Sequence, residues 1–260
     1  MALMNKMTIA EIKRQLATIT DPTAPLINEL KDDSRKGVQQ ALKQWQRRFK
    51  AYQAALQAFH QRFKYENYYW THGCHYVAGM DEVGRGPLAG PVVTCAVILD
   101  SSFDLVGVTD SKQLTRHERE ELYLQIVNEA VEISIAVNDR EKIDRLNIYA
   151  ATQDAMMRSV RSLNHRPDHL IVDAVPLPEL AVPQTTLIKG DQKSISVAAA
   201  SIVAKEYRDH LMRDYDQVYP GYGFAENMGY GTQQHLAGLR KLGACPIHRR
   251  SFSPVPEYLN

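Results

Sequence analysis

The chain has 260 residues, 44% of them hydrophobic, and a formal net charge of +1. This length predicts one domain with an appendage, and the apolar fraction is enough for a sizeable core. No stretch approaches the roughly 20 apolar residues of a membrane span. The first residues become polar too early for a secretory signal, and the three cysteines fit neither a disulfide framework nor a zinc site. We therefore expect a cytoplasmic protein that does not enter a membrane.

Residues 1–72 are predicted to form a helical extension, an α-hairpin, in front of a body over residues 73–260. Thr8 and Glu11 make a capping-box pattern at the start of a first helix, and a proline-containing break at 21–25 follows. A longer helix begins near Asp33. Its apolar residues alternate in steps of four and three, as in a coiled-coil seam. They are Val38, Leu42, Trp45, Phe49, Tyr52, Leu56, Phe59 and Phe63.

Positive charge is concentrated in this extension. Residues 1–74 carry a formal charge of +6 and the remainder carries −5. The basic residues that lie off the seam of the long helix are Lys43, Arg47, Arg48, Lys50, Arg62 and Lys64. They form either a solvated outer face or a surface that binds nucleic acid, and the sequence leaves both open.

The body alternates predicted strands and helices. We expect strands near residues 76–82, 92–99, 131–137, 169–173 and 185–189, and helices near 115–130, 147–163, 193–217 and 232–242. Thr115 and Glu118 make a second capping box, and Gly243 is placed to end the last helix. Short connections favour antiparallel pairing early, and longer crossovers favour parallel pairing later. The fold class is therefore α/β, with a mixed β-sheet flanked by helices.

Residues 80–91 carry the strongest chemical pattern. Asp81 and Glu82 end an apolar strand, and the loop Gly84-Arg85-Gly86 follows at once. The glycines partly imitate a dinucleotide-binding loop, but that loop needs a helix after it, whereas a β-rich run follows here. A tight hairpin with surface acids is the simpler alternative. A metal site would require acids elsewhere in the chain.

Two further acids elsewhere in the chain could complete such a metal site. Asp173 ends an apolar strand, and Asp191 follows the next one. Strand ends are where α/β sheets place their sites, and four clustered carboxylates need divalent cations to compensate their charge. Ligands that are all oxygen suit Mg²⁺ or Mn²⁺. We predict a metal site made by Asp81, Glu82, Asp173 and Asp191.

Several motifs together resemble bacterial ribonuclease HII, the type 2 ribonuclease H family. Residues 81–92 resemble its opening motif. The other similar segments follow in the family's order: Asp110-Ser111-Lys112-Gln113-Leu114, Asp173, residues 190–205 with Asp191, Gly229-Tyr230-Gly231-Thr232 with His235, and residues 246–252. The resemblance covers about residues 75–255, and residues 1–74 lie outside the common catalytic core.

The resemblance implies a ribonuclease H-like fold and an endonuclease. Such an enzyme would cut the RNA strand of RNA–DNA hybrids, and would cut 5′ of a ribonucleotide embedded in duplex DNA, leaving a 5′-phosphate and a 3′-hydroxyl. The family's four acids map onto the four carboxylates above, which would hold two divalent cations, Mn²⁺ or Mg²⁺. Which acid binds which ion stays open. Glu82 is hardest to place, because adjacent strand residues face opposite sides.

The resemblance also implies residues that bind the substrate. Gly84 and Gly86 would bring the backbone near the ribose 2′-hydroxyl, Arg85 would pair with a phosphate, and Tyr230 would sense the RNA–DNA junction. Further predicted phosphate contacts are Ser111, Lys112, Lys193 and Ser194. His248 and Arg249 are left unassigned.

The expected partners are RNA–DNA hybrids and DNA duplexes containing ribonucleotides, with no membrane. The oligomeric state is open, with a monomer as the working expectation. One alternative is another nuclease of the ribonuclease H fold, of the resolvase or integrase type. The other is a non-catalytic protein that binds nucleic acid through the basic helix. Neither would incise a duplex at a single ribonucleotide.

Overall fold

The fold was obtained as a computed structural model that describes residues 7–259. Predictions for residues 1–6, including the start of the helical extension, lie outside the described residues. The chain divides into two compact units, Met1–Ala58 and Phe59–Asn260. Between residues 7 and 259, no helix combines the length and the hydrophobicity needed to cross a membrane.

The first unit is helical. It contains α1 (Ile9–Thr18), α2 (Pro25–Lys31) and most of α3 (Lys36–Arg62). The predicted capping box forms at the start of α1, where the Glu11 amide donates to Thr8 Oγ1 at 3.2 Å and the Thr8 amide donates to Glu11 Oε2 at 2.7 Å. The apolar core of this unit consists of Ile12, Leu16, Ile27, Leu30, Val38, Ala41, Leu42 and Trp45.

The predicted uninterrupted seam and simple α-hairpin are wrong. The break at 21–25 is followed by the unpredicted helix α2, which begins at Pro25, a residue suited to a first helical position. Along α3 the side chain of Tyr52 is 48% exposed, so the seam is broken at its middle. Phe59 and Phe63 belong to the core of the second unit. The four-three spacing therefore serves two separate cores.

The second unit is built on a five-stranded sheet in the order β3-β2-β1-β4-β5. Its strands are β1 (Val77–Val83), β2 (Val92–Ile98), β3 (Glu132–Asn138), β4 (His169–Asp173) and β5 (Gln184–Leu187). β1, β2 and β3 pair antiparallel, whereas β4 pairs parallel with both β1 and β5. The predicted mixed sheet is confirmed.

Helices cover both faces of this sheet. The helices of the second unit are α4 (Lys64–Thr71), α5 (Arg116–Glu129), α6 (Arg140–Leu146), α7 (Ile148–Arg161), α8 (Ile195–Val218), α9 (Phe224–Asn227) and α10 (Gln233–Leu242). The α8 side of β2 carries Val93, Cys95 and Val97, and the α7 side carries Ala96 and Ile98. α8 lies directly on the β1 backbone, since a Cβ on Gly79 would come within 2.2 Å of the carbonyl carbon of Ser196.

Candidate active site

Asp81 and Asp173 lie side by side on neighbouring parallel strands. The register pairs Met80 of β1 with Val172 of β4, so the two acids occupy the next position at the same sheet edge. Asp81 is only 6% exposed, and its Oδ1 accepts the Glu82 amide at 2.7 Å. The sheet register therefore brings these two strand ends together, as the sequence predicted.

Asp191 reaches the same place through a 3₁₀ turn, Gly190–Gln192, that follows β5. The Gly190 amide donates to Asp173 Oδ1 at 2.7 Å, which ties the turn to the carboxylate on β4. Asp191 is buried, and Lys112 Nζ lies 3.8 Å from its Oδ2. The turn, rather than β5 itself, therefore presents the fourth acid.

Glu82 is turned toward the other acids. Its side chain is 11% exposed, and its Oε1 accepts Arg85 Nη1 at 3.2 Å. Burial raises the pKa of Glu82, and repulsion from Asp173 contributes in the same direction although Arg85 opposes both. The second oxygen, Oε2, is buried, and no described residue offers it a hydrogen bond. A buried carboxylate oxygen left in this way is energetically costly.

Burial and mutual repulsion disfavour the ionised form of the acids in this site. Burial raises the pKa of Asp81 well above its usual value, and repulsion from Glu82 and Asp173 adds to it. Burial raises the pKa of Asp191 to about 6, with repulsion from Asp110 as the next cause. The pKa of Lys112 is raised in turn, because attraction to these acids outweighs the effect of its burial.

Asp110 is a fifth acid that the sequence reasoning did not assign to the site. It is 6% exposed, its Oδ1 accepts the Lys112 amide at 3.0 Å, and its Oδ2 accepts Gln192 Nε2 at 3.2 Å. Burial raises the pKa of Asp110, but these hydrogen bonds outweigh it and leave the pKa below its usual value. Its position ahead of Ser111 and Lys112 in a recognised motif was the available signal.

The loop after β1 has two glycines with different constraints. Gly84 has φ +90°, and a Cβ there would lie 2.3 Å from Arg208 Nε and 2.6 Å from the Pro91 carbonyl oxygen. The protein itself therefore requires this glycine. Gly86 is exposed, and its Cβ would meet only Tyr230 Cε1, at an ordinary 3.6 Å. Within the part of the chain that the structure describes, no contact excludes a side chain at Gly86.

Two fully buried arginines hold this loop by its carbonyl groups. Arg249 donates to Gly84, to Arg85 at 2.9 Å and to Gly90 at 3.0 Å. Arg208 donates to the Pro91 and Met228 carbonyls at 2.9 Å each and to that of Ala89 at 3.2 Å. Arg249, unassigned by sequence, is thus a structural support of the loop, and Arg208 was missed because it lies on the apolar helix α8.

Tyr230 stands beside the loop, with its side chain 47% exposed and its ring near Gly86. The Tyr230 carbonyl oxygen accepts a hydrogen bond from His235 Nδ1 at 2.9 Å. His235 Nε2 lies 2.9 Å from His248 Nε2. His248 Nδ1 in turn accepts the Cys245 amide at 2.9 Å. These contacts are satisfied by two neutral imidazoles, with His248 Nε2–H donating to His235. His248 is therefore buried support for the Tyr230 turn.

The remaining predicted substrate contacts divide into exposed and buried residues. Lys112 and Lys193 are exposed. Ser111 is buried with its Oγ 2.8 Å from Ser201 Oγ, and Ser194 is buried with its hydroxyl donated to Glu66. The structure therefore does not bring the two predicted serines to the surface, because both hydroxyls are used inside the protein.

A second cluster of metal-ligating types lies elsewhere. Within the described part of the chain, the groups whose ligand atoms all lie within 4.8 Å of one another comprise Glu120, Glu206 and His210 only, so the four predicted acids are spaced more widely. Arg119 Nε lies 2.6 Å from Glu206 Oε1, and Arg116 Nε lies 2.9 Å from Glu120 Oε1. Both glutamates of this second cluster are therefore paired with arginines.

Comparison with known proteins identifies the family. The family model for ribonuclease HII matches residues 78–255. The chain belongs to the ribonuclease HII family. The model of the ribonuclease HII N-terminal domain matches residues 8–70. Ribonuclease HII of Limosilactobacillus reuteri is 74% identical over 257 residues, which cover 99% of this chain and 100% of that protein. The chain is therefore a ribonuclease H, a hydrolase of the nuclease class.

Solved structures agree on the ribonuclease H-like fold. The ribonuclease H2 of Pyrococcus horikoshii OT3 is 26% identical with a TM-score of 0.62, covering 70% of this chain and 96% of that one. Bst-RNase HIII, solved in complex with Mn²⁺, is 19% identical with a TM-score of 0.51, covering 70% and 68% of the two chains. The predicted domain boundary at 72/73 falls between the two family matches, whereas the compact units divide at Ala58 and Phe59.

Proposed function

We propose that this ribonuclease HII hydrolyses the RNA strand of RNA–DNA hybrids and incises duplex DNA on the 5′ side of an embedded ribonucleotide. The products carry a 5′-phosphate and a 3′-hydroxyl. The observation that carries the proposal is the group of four acids beside the exposed loop at Gly86: Asp81 and Asp191 are buried, and Glu82 and Asp173 are partly buried. Asp81, Glu82 and this loop belong to one continuous segment, so the scissile phosphate and its ribose can be held together.

The residues present fit two divalent cations. Every candidate ligand atom is a carboxylate oxygen, which Mg²⁺ and Mn²⁺ prefer. The partnerless Oε2 of Glu82 and the raised pKa of Asp81 both mark a place where a bound cation would stabilise the ionised carboxylates. Asp81, Glu82, Asp173 and Asp191 would hold the ions, which supply an activated water and relief of charge on the leaving oxygen. The Mn²⁺ complex of Bst-RNase HIII supports the choice of metal.

Two basic side chains, those of Lys112 and Arg85, are placed to bind the phosphates of the substrate. Lys112 has an exposed side chain whose Nζ lies 3.8 Å from Asp191 Oδ2, and it can contact a phosphate. The Arg85 side chain is 40% exposed and paired with Glu82. When Arg85 binds a phosphate, it either leaves Glu82 or contacts both groups at once. The same pairing holds the Arg85 guanidinium next to the carboxylates.

Selection of ribose over deoxyribose is assigned to the Gly86 backbone and the Tyr230 ring. The 2′-hydroxyl distinguishes RNA from DNA at a single residue. Gly86 leaves the loop open on the side where the Tyr230 ring lies. A backbone group there can hydrogen-bond the hydroxyl, while the ring stacks on the following sugar.

The test uses a DNA duplex with one ribonucleotide, incubated with Mn²⁺ or Mg²⁺ and, separately, with EDTA. Cleavage should need the metal and should fall 5′ to the ribonucleotide, and an all-DNA duplex is the control. Asp173→Asn, which keeps side-chain size, should abolish turnover while substrate binding survives. Equal cutting of the all-DNA duplex would favour a resolvase-type nuclease, and no cutting of either duplex would refute the proposal.

A further inference from the structure

Glu66 is a fully buried carboxylate outside the four-acid site. It lies on α4, before the residues matched by the catalytic family model. Its Oε1 accepts three hydrogen bonds: from Ser194 Oγ at 2.5 Å, from Ser196 Oγ at 2.6 Å and from the Ser196 amide at 3.0 Å. Its Oε2 is buried and has no hydrogen-bond partner among residues 7–259. A side chain kept for packing alone would not need a carboxyl group that accepts three hydrogen bonds.

All three donors belong to the first turn of α8. Ser194 is the N-cap of that helix, and its Oγ also accepts the Val197 amide at 3.3 Å. The first turn of a helix has free amides and the positive end of the helix dipole, both of which attract a carboxylate. Glu66 therefore acts as a second cap, contributed by a distant segment, for the 24-residue helix α8.

A short chain of hydrogen bonds continues from this cap to the acids. The Ser194 amide donates to the Gly190 carbonyl at 2.9 Å, and the Gly190 amide donates to Asp173 Oδ1 at 2.7 Å. Asp191 lies inside the turn that these bonds close. The turn has little space to shift, since a Cβ on Gly190 would lie 3.2 Å from Val197 Cγ1 and 3.3 Å from Asp173 Oδ1.

We propose that Glu66 is a positioning residue for the metal site. By fixing Ser194 and Ser196, it sets the turn at residues 190–194 and hence the carboxylates of Asp173 and Asp191. Partners of this kind, which hold ligands without touching the ion, typically change metal affinity about 10- to 100-fold when removed. The inference rests on the proposed metal function of Asp173 and Asp191.

The test measures Mn²⁺ binding directly, from the electron paramagnetic resonance signal of free Mn²⁺ titrated with the full chain and no substrate. Glu66→Leu should weaken Mn²⁺ binding about 10-fold or more, while the affinity for a ribonucleotide-containing duplex in EDTA changes less than about twofold. Glu66→Gln keeps an oxygen that can accept the three hydrogen bonds, so it should restore most of the Mn²⁺ affinity.

Ile143→Ala is the control for general destabilisation, because Ile143 is fully buried in a separate apolar cluster with Val92 and Ala151. It should lower the melting temperature without weakening Mn²⁺ binding. Equal loss of affinity in Ile143→Ala and Glu66→Leu, or wild-type affinity in Glu66→Leu, would overturn the positioning role. If Glu66→Leu does not fold, Ser196→Ala decides: a several-fold weaker Mn²⁺ affinity supports the role, and an unchanged affinity overturns it.

Asp173→Asn separates this inference from the proposed function. If Asp173→Asn binds Mn²⁺ as the wild type does, the metal site itself is wrong and the role of Glu66 falls with it. If Asp173→Asn loses Mn²⁺ but Glu66→Leu does not, only the positioning role fails.

Discussion

Replacing Gly86 by alanine separates the recognition of ribose from the stability of the loop. The new methyl group would meet only Tyr230 Cε1 at 3.6 Å, an ordinary contact. The free energy of unfolding should therefore change by no more than about 0.5 kcal/mol. At Gly84 the same substitution places a Cβ 2.6 Å from the Pro91 carbonyl oxygen at a φ of +90°. Strain and overpacking there should cost about 2–4 kcal/mol.

The functional effect of Gly86→Ala should be large despite the unchanged stability. The methyl group holds the substrate sugar away from the backbone, so one or two hydrogen bonds to the 2′-hydroxyl no longer form. At about 1.5 kcal/mol for each bond, kcat/KM should fall roughly 10- to 150-fold. Initial rates on a duplex with a single ribonucleotide measure this fall, and urea denaturation of the same preparations measures stability.

Two results would refute the reasoning. Wild-type kcat/KM in Gly86→Ala would mean that the substrate never approaches this backbone closely. A loss of stability in Gly86→Ala equal to that in Gly84→Ala would mean that Gly86 is constrained by the protein and not by the substrate.

Two further predictions concern support and charge. Burial lowers the pKa of His248 to about 4, with repulsion from His235 adding to it. Because an unfolded histidine titrates near 6.5, the folded state binds fewer protons between these values, and stability is lost as pH falls through that window. The stability advantage of the wild type over His248→Gln should shrink by about 3 kcal/mol from pH 7 to pH 4; parallel pH curves in urea denaturation would contradict this. Lys43, Arg47 and Lys50 are exposed on α3. Changing all three to Gln should make the slope of log binding constant against log salt concentration shallower by about 0.9 for each phosphate that the protein no longer neutralises. An unchanged slope would assign this face to solvent.

Local patterns predicted the second unit well because its strands and helices are long and regular. Apolar and β-rich runs placed β1 to β5 within two residues of their ends, and capping boxes at Thr8 and Thr115 mark the true starts of α1 and α5. Helices α2, α6 and α9 were missed because each has seven residues or fewer, too short for a clear period. The seam in α3 failed because spacing does not say which core a residue joins.

The sequence predicted the site residues that lie at strand ends. It did not predict which side chains are buried. Asp81 and Asp173 follow from strand order alone. Ser111 and Ser194 lie in segments that suggest phosphate contacts, but the burial of a short side chain depends on what packs over it. Glu66 was missed for the same reason, since its partners lie 128 and 130 residues away in sequence.

The arginine that holds the loop after β1, which is proposed to contact the ribose, comes late in the chain. Arg249 donates to the Gly84 carbonyl across 165 positions and to the Arg85 carbonyl across 164. A growing polypeptide can pair β1 with β2 early, but it cannot complete this loop until residue 249 has been synthesised. Contacts of such long range form slowly, because the intervening segment must first be ordered. A chain stopped short of residue 249 therefore contains all four acids but lacks the side chain that holds the carbonyl groups of the loop after β1.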